Sequence, residues 1–66
     1  MTNRLKELRL EASLTQDDCA KIAYIGKTTY YRYEHGERSL PMDVAMLLAE
    51  HYNTSVDYIV GKTDER

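Results

Sequence analysis

The feature that constrains this chain most is a joint of three residues, Tyr24-Ile25-Gly26, between two blocks of helical spacing, Gln16–Ala23 and Lys27–His35. Three residues are too few to turn the second helix back antiparallel to the first, so the two must cross at a steep angle. A close crossing needs a small side chain where the helices touch, and Ala20 supplies it. Ile25 fills the inside of the turn. Tyr30 and Tyr33, at i and i+3, face inward toward Cys19 and Ala23.

Apolar spacing is helical on both sides of that pair. Leu5, Leu8 and Ala12 recur at i, i+3 and i+7 along a first helix. Thr15, with Asp18 three residues on, reads as a capping box that starts the second. Asp17 and Asp18 also place negative charge in its first turn, where the helix dipole favours it. Gly36 stops the third helix. Pro41 opens a fourth at the first helical position, whose N–H has no partner to lose, and Ala45, Leu48, Ala49 and Tyr52 line its core face. Ser55 caps a fifth, Val56 to Val60, which Gly61 ends. Nothing alternates with period two for long enough to form a strand. The expectation is an all-α fold of five short helices, with one domain over residues 1–61 and a frayed polar tail over 62–66.

A chain of 66 residues has room for one small core and not for a catalytic domain beside a cofactor domain. Its single cysteine cannot form an internal disulfide, which fits a reducing cytoplasm. No run of about 18 apolar residues could span a membrane, and the polar start MTNRLKELRL is not a signal peptide. Gly26-Lys27-Thr28 imitates the end of a phosphate-binding loop, but Lys21 stands where that loop requires glycine. Cys19, His35 and His51 lack metal-ligand spacing, and no serine, histidine and carboxylate suggest a triad. No enzyme, metal, cofactor or small-molecule substrate is expected. The tyrosines imitate a stacking platform for single strands. Helical spacing instead assigns Tyr30, Tyr33 and Tyr52 to the core with their hydroxyls reaching the surface, and Tyr58 to core or a dimer patch.

These residues resemble the Cro/repressor type of helix-turn-helix, the XRE family of bacterial and phage regulators. Leu14-Thr15-Gln16-Asp17-Asp18-Cys19-Ala20 looks like the family's L-T-Q-x-x-[apolar]-A. Tyr30-Tyr31-Arg32-Tyr33-Glu34-His35-Gly36-Glu37-Arg38 looks like its I-S-R-Y-E-x-G-x-R, and Tyr52 to Gly61 is similar to its closing helix, often N-V-S-x-D-Y-L-L-G. Each segment alone is weak; three in order, at the right spacing and from about Leu5 to Thr63, are strong. Two departures stand out. The family has glycine where this chain has Tyr24, and a capping Ser or Thr where it has Gly26. Either Tyr24 takes a left-handed conformation, at a strain of roughly 1–2 kcal/mol, or Gly26 absorbs the turn.

The resemblance implies a lambda-repressor-like fold and a sequence-specific, double-stranded DNA-binding regulator of transcription, a repressor, with the third helix (27–35) in the major groove. Lys27, Thr28, Tyr31 and Arg32 are then the base contacts, and Arg32 is the best suited, since its planar fork can hold guanine O6 and N7 together. On an arbitrary helix, Lys27 and Arg32 would simply be solvated charges. Gln16, Thr29 and Arg38 are the phosphate candidates. Arg9 and Glu34 match a pair that the family commonly joins as an ion pair between the first and third helices. One module offers few base contacts, so a homodimer on a near-palindromic operator is expected, joined through Leu47 to Val60, with Val56, Tyr58, Ile59 and Val60 as its apolar surface. The alternative is a protein-interaction module on the same fold, such as an antitoxin or antirepressor partner. The net charge of -2 argues mildly against nucleic acid. Its distribution does not: residues 21–38 sum to +2 (four basic, two acidic), against -1 for residues 1–20 (three basic, four acidic) and -3 for residues 39–66 (two basic, five acidic).

Overall fold

A computed structural model describes residues 3–66. Thr15 starts the organising pair of helices: its hydroxyl accepts from the Asp18 N–H at 3.1 Å, and the Asp18 carboxylate accepts from the Thr15 N–H at 2.9 Å. Hydrogen bonding to Thr15, through its backbone N–H first and its hydroxyl second, holds the Asp18 carboxyl below its ordinary value. The helices are α1 (Leu5–Glu11), α2 (Gln16–Ile22), α3 (Lys27–Glu34), α4 (Met42–His51) and α5 (Val56–Val60), and no strand occurs among the described residues. The fold is all-α, as expected.

Each helix ends in the same way. A left-handed residue follows the last turn, and the next N–H reaches back to a carbonyl five residues earlier. The left-handed positions are Ser13, Tyr24, Gly36, Asn53 and Gly61, with φ of 58°, 59°, 74°, 55° and 85°. The returning bonds are Leu14 to Arg9, Ile25 to Ala20, Glu37 to Arg32, Thr54 to Ala49 and Lys62 to Asp57, all 2.9–3.0 Å. Tyr24, not Gly26, therefore takes the unusual turn conformation, while Gly26 is extended at φ -75° and ψ 155°.

The five helices close over one core. Leu5 and Leu8 of α1, Tyr30 of α3, Leu48 of α4 and Ile59 of α5 are almost wholly buried around Cys19 and Ala20 of α2. Several sequence expectations change here. Ala12 caps α1 and is exposed, because the helix has already ended. Pro41 is the N-cap of α4 rather than its first residue, with an extended ψ of 151°. Val44, unassigned from the sequence, is buried on α4. Ile59 is fully buried, which removes it from any dimer surface. Tyr30 has no exposed surface, so its hydroxyl stays inside.

Residues 62–64 make contacts back to the body of the fold. The Arg4 N–H donates to the Ile59 carbonyl at 2.8 Å, and the Arg4 guanidinium donates to the carbonyls of Tyr58 and of Thr63 (2.8 Å) and to Asp64 at 2.6 Å. It also lies 4.3 Å from the centre of the Tyr58 ring. One arginine ties the start of α1 to α5 and to the tail. No helix among the described residues is long and apolar enough to cross a membrane.

Candidate nucleic-acid interface

The site begins with the angle between α2 and α3. Ala20 is 1% exposed at the crossing, and Cys19 and Ala23 bury the rest of the α2 face. The left-handed Tyr24 reverses the chain, and the extended Gly26 starts α3 without a side-chain cap. The Tyr24 ring is 85% exposed and contributes nothing to the core.

Helical periodicity then sorts α3 into two faces. Tyr30, Tyr33 and Glu34 turn inward, leaving Lys27, Thr28, Tyr31, Arg32 and His35 exposed and Thr29 half-buried on the flank. Tyr31 and His35 stack, with ring centroids 4.0 Å apart and a 33° tilt. Arg38 is exposed just beyond the helix.

The inward face is fixed by one carboxylate. Glu34 Oε1 accepts from Arg9 Nε at 2.8 Å and from the Tyr30 hydroxyl at 3.0 Å. Glu34 Oε2 accepts from Gln16 Nε2 at 2.8 Å and from Arg9 Nη2 at 3.4 Å. Burial pushes the Glu34 carboxyl up, but the hydrogen bonds from Arg9, Gln16 and Tyr30, with the Arg9 charge, outweigh it and hold the group below its ordinary value. The Arg9 pKa rises in turn, mainly through its hydrogen bond to Glu34. Arg9 Nη1 also donates to the Leu14 carbonyl at 3.1 Å, so the same side chain holds the loop before α2. The Tyr30 phenol is raised first by burial and then by the acidic groups beside it.

Gln16, a phosphate candidate, thus spends one amide N–H on Glu34. Because a carboxylate only accepts, Nε2 must be the atom that faces it, and the second N–H remains available. Gln16 and Lys27 line one open cleft of about 610 Å³ together with Arg9, Leu14, Thr15 and Asp17. The structure therefore brings Gln16 and Lys27 to one cleft, while Thr28, Tyr31 and Arg32 continue along the exposed side of α3 and Thr29 lies on the flank away from Lys27. Two features were not read from the sequence: the Tyr30 hydroxyl as a Glu34 donor, and the Tyr31–His35 stack. Both pairs stand at i and i+4, a spacing that could have flagged them.

Among the described residues no group of three His, Cys, Asp or Glu could hold a metal ion. Cys19 is buried, with Sγ 3.1 Å from the Tyr52 hydroxyl.

A helix-turn-helix family model matches residues 5–59. The chain is 40% identical over 62 residues to the uncharacterized HTH-type transcriptional regulator YobD of Bacillus subtilis, covering 94% of this chain and 55% of that one. It is 38% identical over 61 residues to the HTH-type transcriptional regulator ImmR of the same organism (92% and 48%). It is 29% identical over 63 residues to the cryptic phage CTXphi transcriptional repressor RstR of Vibrio cholerae (96% and 57%). The chain therefore spans about half the length of these relatives. A crystal structure of a transcriptional regulator from Listeria innocua superposes with a TM-score of 0.85 at 23% identity, covering 100% of this chain and 65% of that one, and shares its fold. With the matching span, the relatives and the Glu34 anchor in agreement, the chain belongs to the Cro/repressor-type (XRE) helix-turn-helix family.

Proposed function

We propose that this protein binds specific sequences in double-stranded DNA through α3 lying in the major groove, and that it represses transcription as a homodimer on a near-palindromic operator. The observation that carries the reading is the division of α3. Its buried side is clamped by Arg9, Gln16 and Tyr30 through Glu34, while Lys27, Thr28, Tyr31 and Arg32 stay exposed and make no hydrogen bond or ion pair to another side chain among the described residues. A base-reading helix needs that combination of rigid mounting and free polar tips. In this reading Lys27, Thr28, Tyr31 and Arg32 contact base edges, and Gln16, Thr29 and Arg38 contact phosphates. The RstR relative, named as a repressor, supports repression. Two copies would reach half-sites about 34 Å apart, one turn of DNA. The apolar surface available for pairing is the half-buried Val56, Tyr58 and Val60.

A protein-interaction role draws on another observation: Met42 and Met46 of α4 are 63% and 57% exposed. Salt separates the two readings. Binding to duplex DNA should weaken steeply between about 50 and 200 mM salt, in proportion to the phosphates neutralised. Arg32→Ala should lower affinity for the preferred site about 5- to 150-fold, equivalent to about 1–3 kcal/mol. Duplex binding insensitive to salt, or an unaffected Arg32→Ala protein, would favour the protein-partner reading.

A further inference from the structure

The exposed side of α3 ends on a feature that the reading above does not use. His35 is the C-cap of α3, and its ring lies on that of Tyr31, one turn earlier on the stripe that carries Thr28 and Arg32. Both rings are exposed, so the stack supports no core. It fixes two aromatic planes on a surface where single side chains would otherwise move freely.

A rise of about 1.5 Å per residue sets His35 about 10 Å along the axis from Thr28. The major groove is about 8.5 Å deep. A helix whose N-terminal residues meet base edges therefore brings its seventh following residue to the groove wall, where phosphates stand rather than bases. We propose that His35 is a proton-linked phosphate contact, in which its imidazolium, seated on the Tyr31 ring, donates to the DNA backbone at the C-terminal end of α3. The inference rests on α3 being the groove-reading helix.

An approaching phosphate adds an opposite charge that stabilises the protonated form of an imidazole. The groups around His35 offer no competing anchor among the described residues. From α1, Lys6 and Glu7, of opposite charge, line the same shallow cleft with Asn3. Glu34 lines it too, but its carboxylate is engaged by Arg9, Gln16 and Tyr30. On the chain itself Arg32 precedes, and Glu37 and Arg38 follow with opposite signs. Among the described residues no carboxylate forms an ion pair with His35. Histidine is the side chain that can gain a proton between about pH 5 and 8, so phosphate contact should draw one in across that range.

The test uses the full chain and a duplex enriched from random DNA by the wild-type protein. Affinity is measured by fluorescence anisotropy from pH 6 to 8 and over a range of salt. The wild type should weaken as pH rises, approaching tenfold per unit where one proton is fully linked to binding. His35→Phe keeps a ring on Tyr31 but cannot take a charge. It should show a flat profile, weaker binding at pH 6, and a salt slope at pH 6 smaller by about 0.9, with little change at pH 8. His51→Ala, on α4, should retain the wild-type profile. A wild-type profile as flat as that of His35→Phe, or an unchanged salt slope at pH 6, overturns the inference while leaving the groove reading intact. A wild-type protein that binds no duplex overturns both.

Discussion

Glu34 accepts four hydrogen bonds on its two oxygens from Arg9, Gln16 and Tyr30, so a single carboxylate joins α1, α2 and α3. Its side chain is 1% exposed, and removing the partner cation leaves a buried charge unpaired. Arg9→Ala should therefore cost about 3 kcal/mol or more. That is a large share of what a domain this small has in total. Lys6→Ala, at an exposed position on the same helix, should stay within about 0.5 kcal/mol. Urea denaturation of both variants checks the contrast, and equal losses would contradict the anchor. The sign of the acid response follows from the same group. Because the folded state holds the Glu34 carboxyl below its ordinary value of 4.5, its stabilisation is complete above that pH. It is lost as pH falls through the lowered value. In Glu34→Gln this part of the acid loss should disappear. The Arg9–Glu34 pairing was open to the family resemblance alone, since residues 25 apart carry no periodic signal. The Tyr30 hydroxyl was misread as surface-seeking because an aromatic face at helical spacing says which side is inward and not where its polar tip finds a partner.

The ends of the helices explain which elements could be read from the sequence. Start signals were chemical and legible: the side chains of Thr15 and Ser55 accept from the third backbone N–H of α2 and α5. Stop signals were legible where a residue suited to the left-handed site occupies it: glycine at Gly36 and Gly61, and asparagine at Asn53, where the sequence also ends the fourth helix. Ser13 and Tyr24 adopt the same conformation without that marker, since the returning N–H bond and the packing around it override local preference. The tail was unreadable for a related reason. Arg4 recognises mainly backbone carbonyls near the tail, and carbonyls leave no trace in a pattern of side chains. Tyr24 carries the clearest penalty, because its ring is exposed and returns no packing. Tyr24→Gly should remove a strain of roughly 1–2 kcal/mol. Against that stands the extra freedom glycine gives the unfolded chain, about 0.5–1 kcal/mol. A net gain of up to about 1.5 kcal/mol should raise the melting temperature by several degrees. A lower melting temperature would mean that the Tyr24 ring makes a stabilising contact.

Across the whole molecule, which extends 28 × 23 × 19 Å, charge is segregated along the chain. The segment holding the turn and α3 is +2 (four basic, two acidic) within a chain of -2. Glu34 is buried and engaged by Arg9, and the exposed charges of α3, Lys27 and Arg32, are positive. The acidic remainder should limit binding to arbitrary DNA, leaving affinity to depend on the contacts of one helix. That makes sequence selectivity the property to measure. Purified protein should be challenged with a library of random duplexes at moderate salt through several rounds of selection. The account predicts enrichment of a two-fold symmetric site whose half-sites lie about 10 base pairs apart, one turn of DNA, with the enrichment lost in Arg32→Ala. Recovery of no preferred sequence, or of the same sequence by Arg32→Ala, would contradict it.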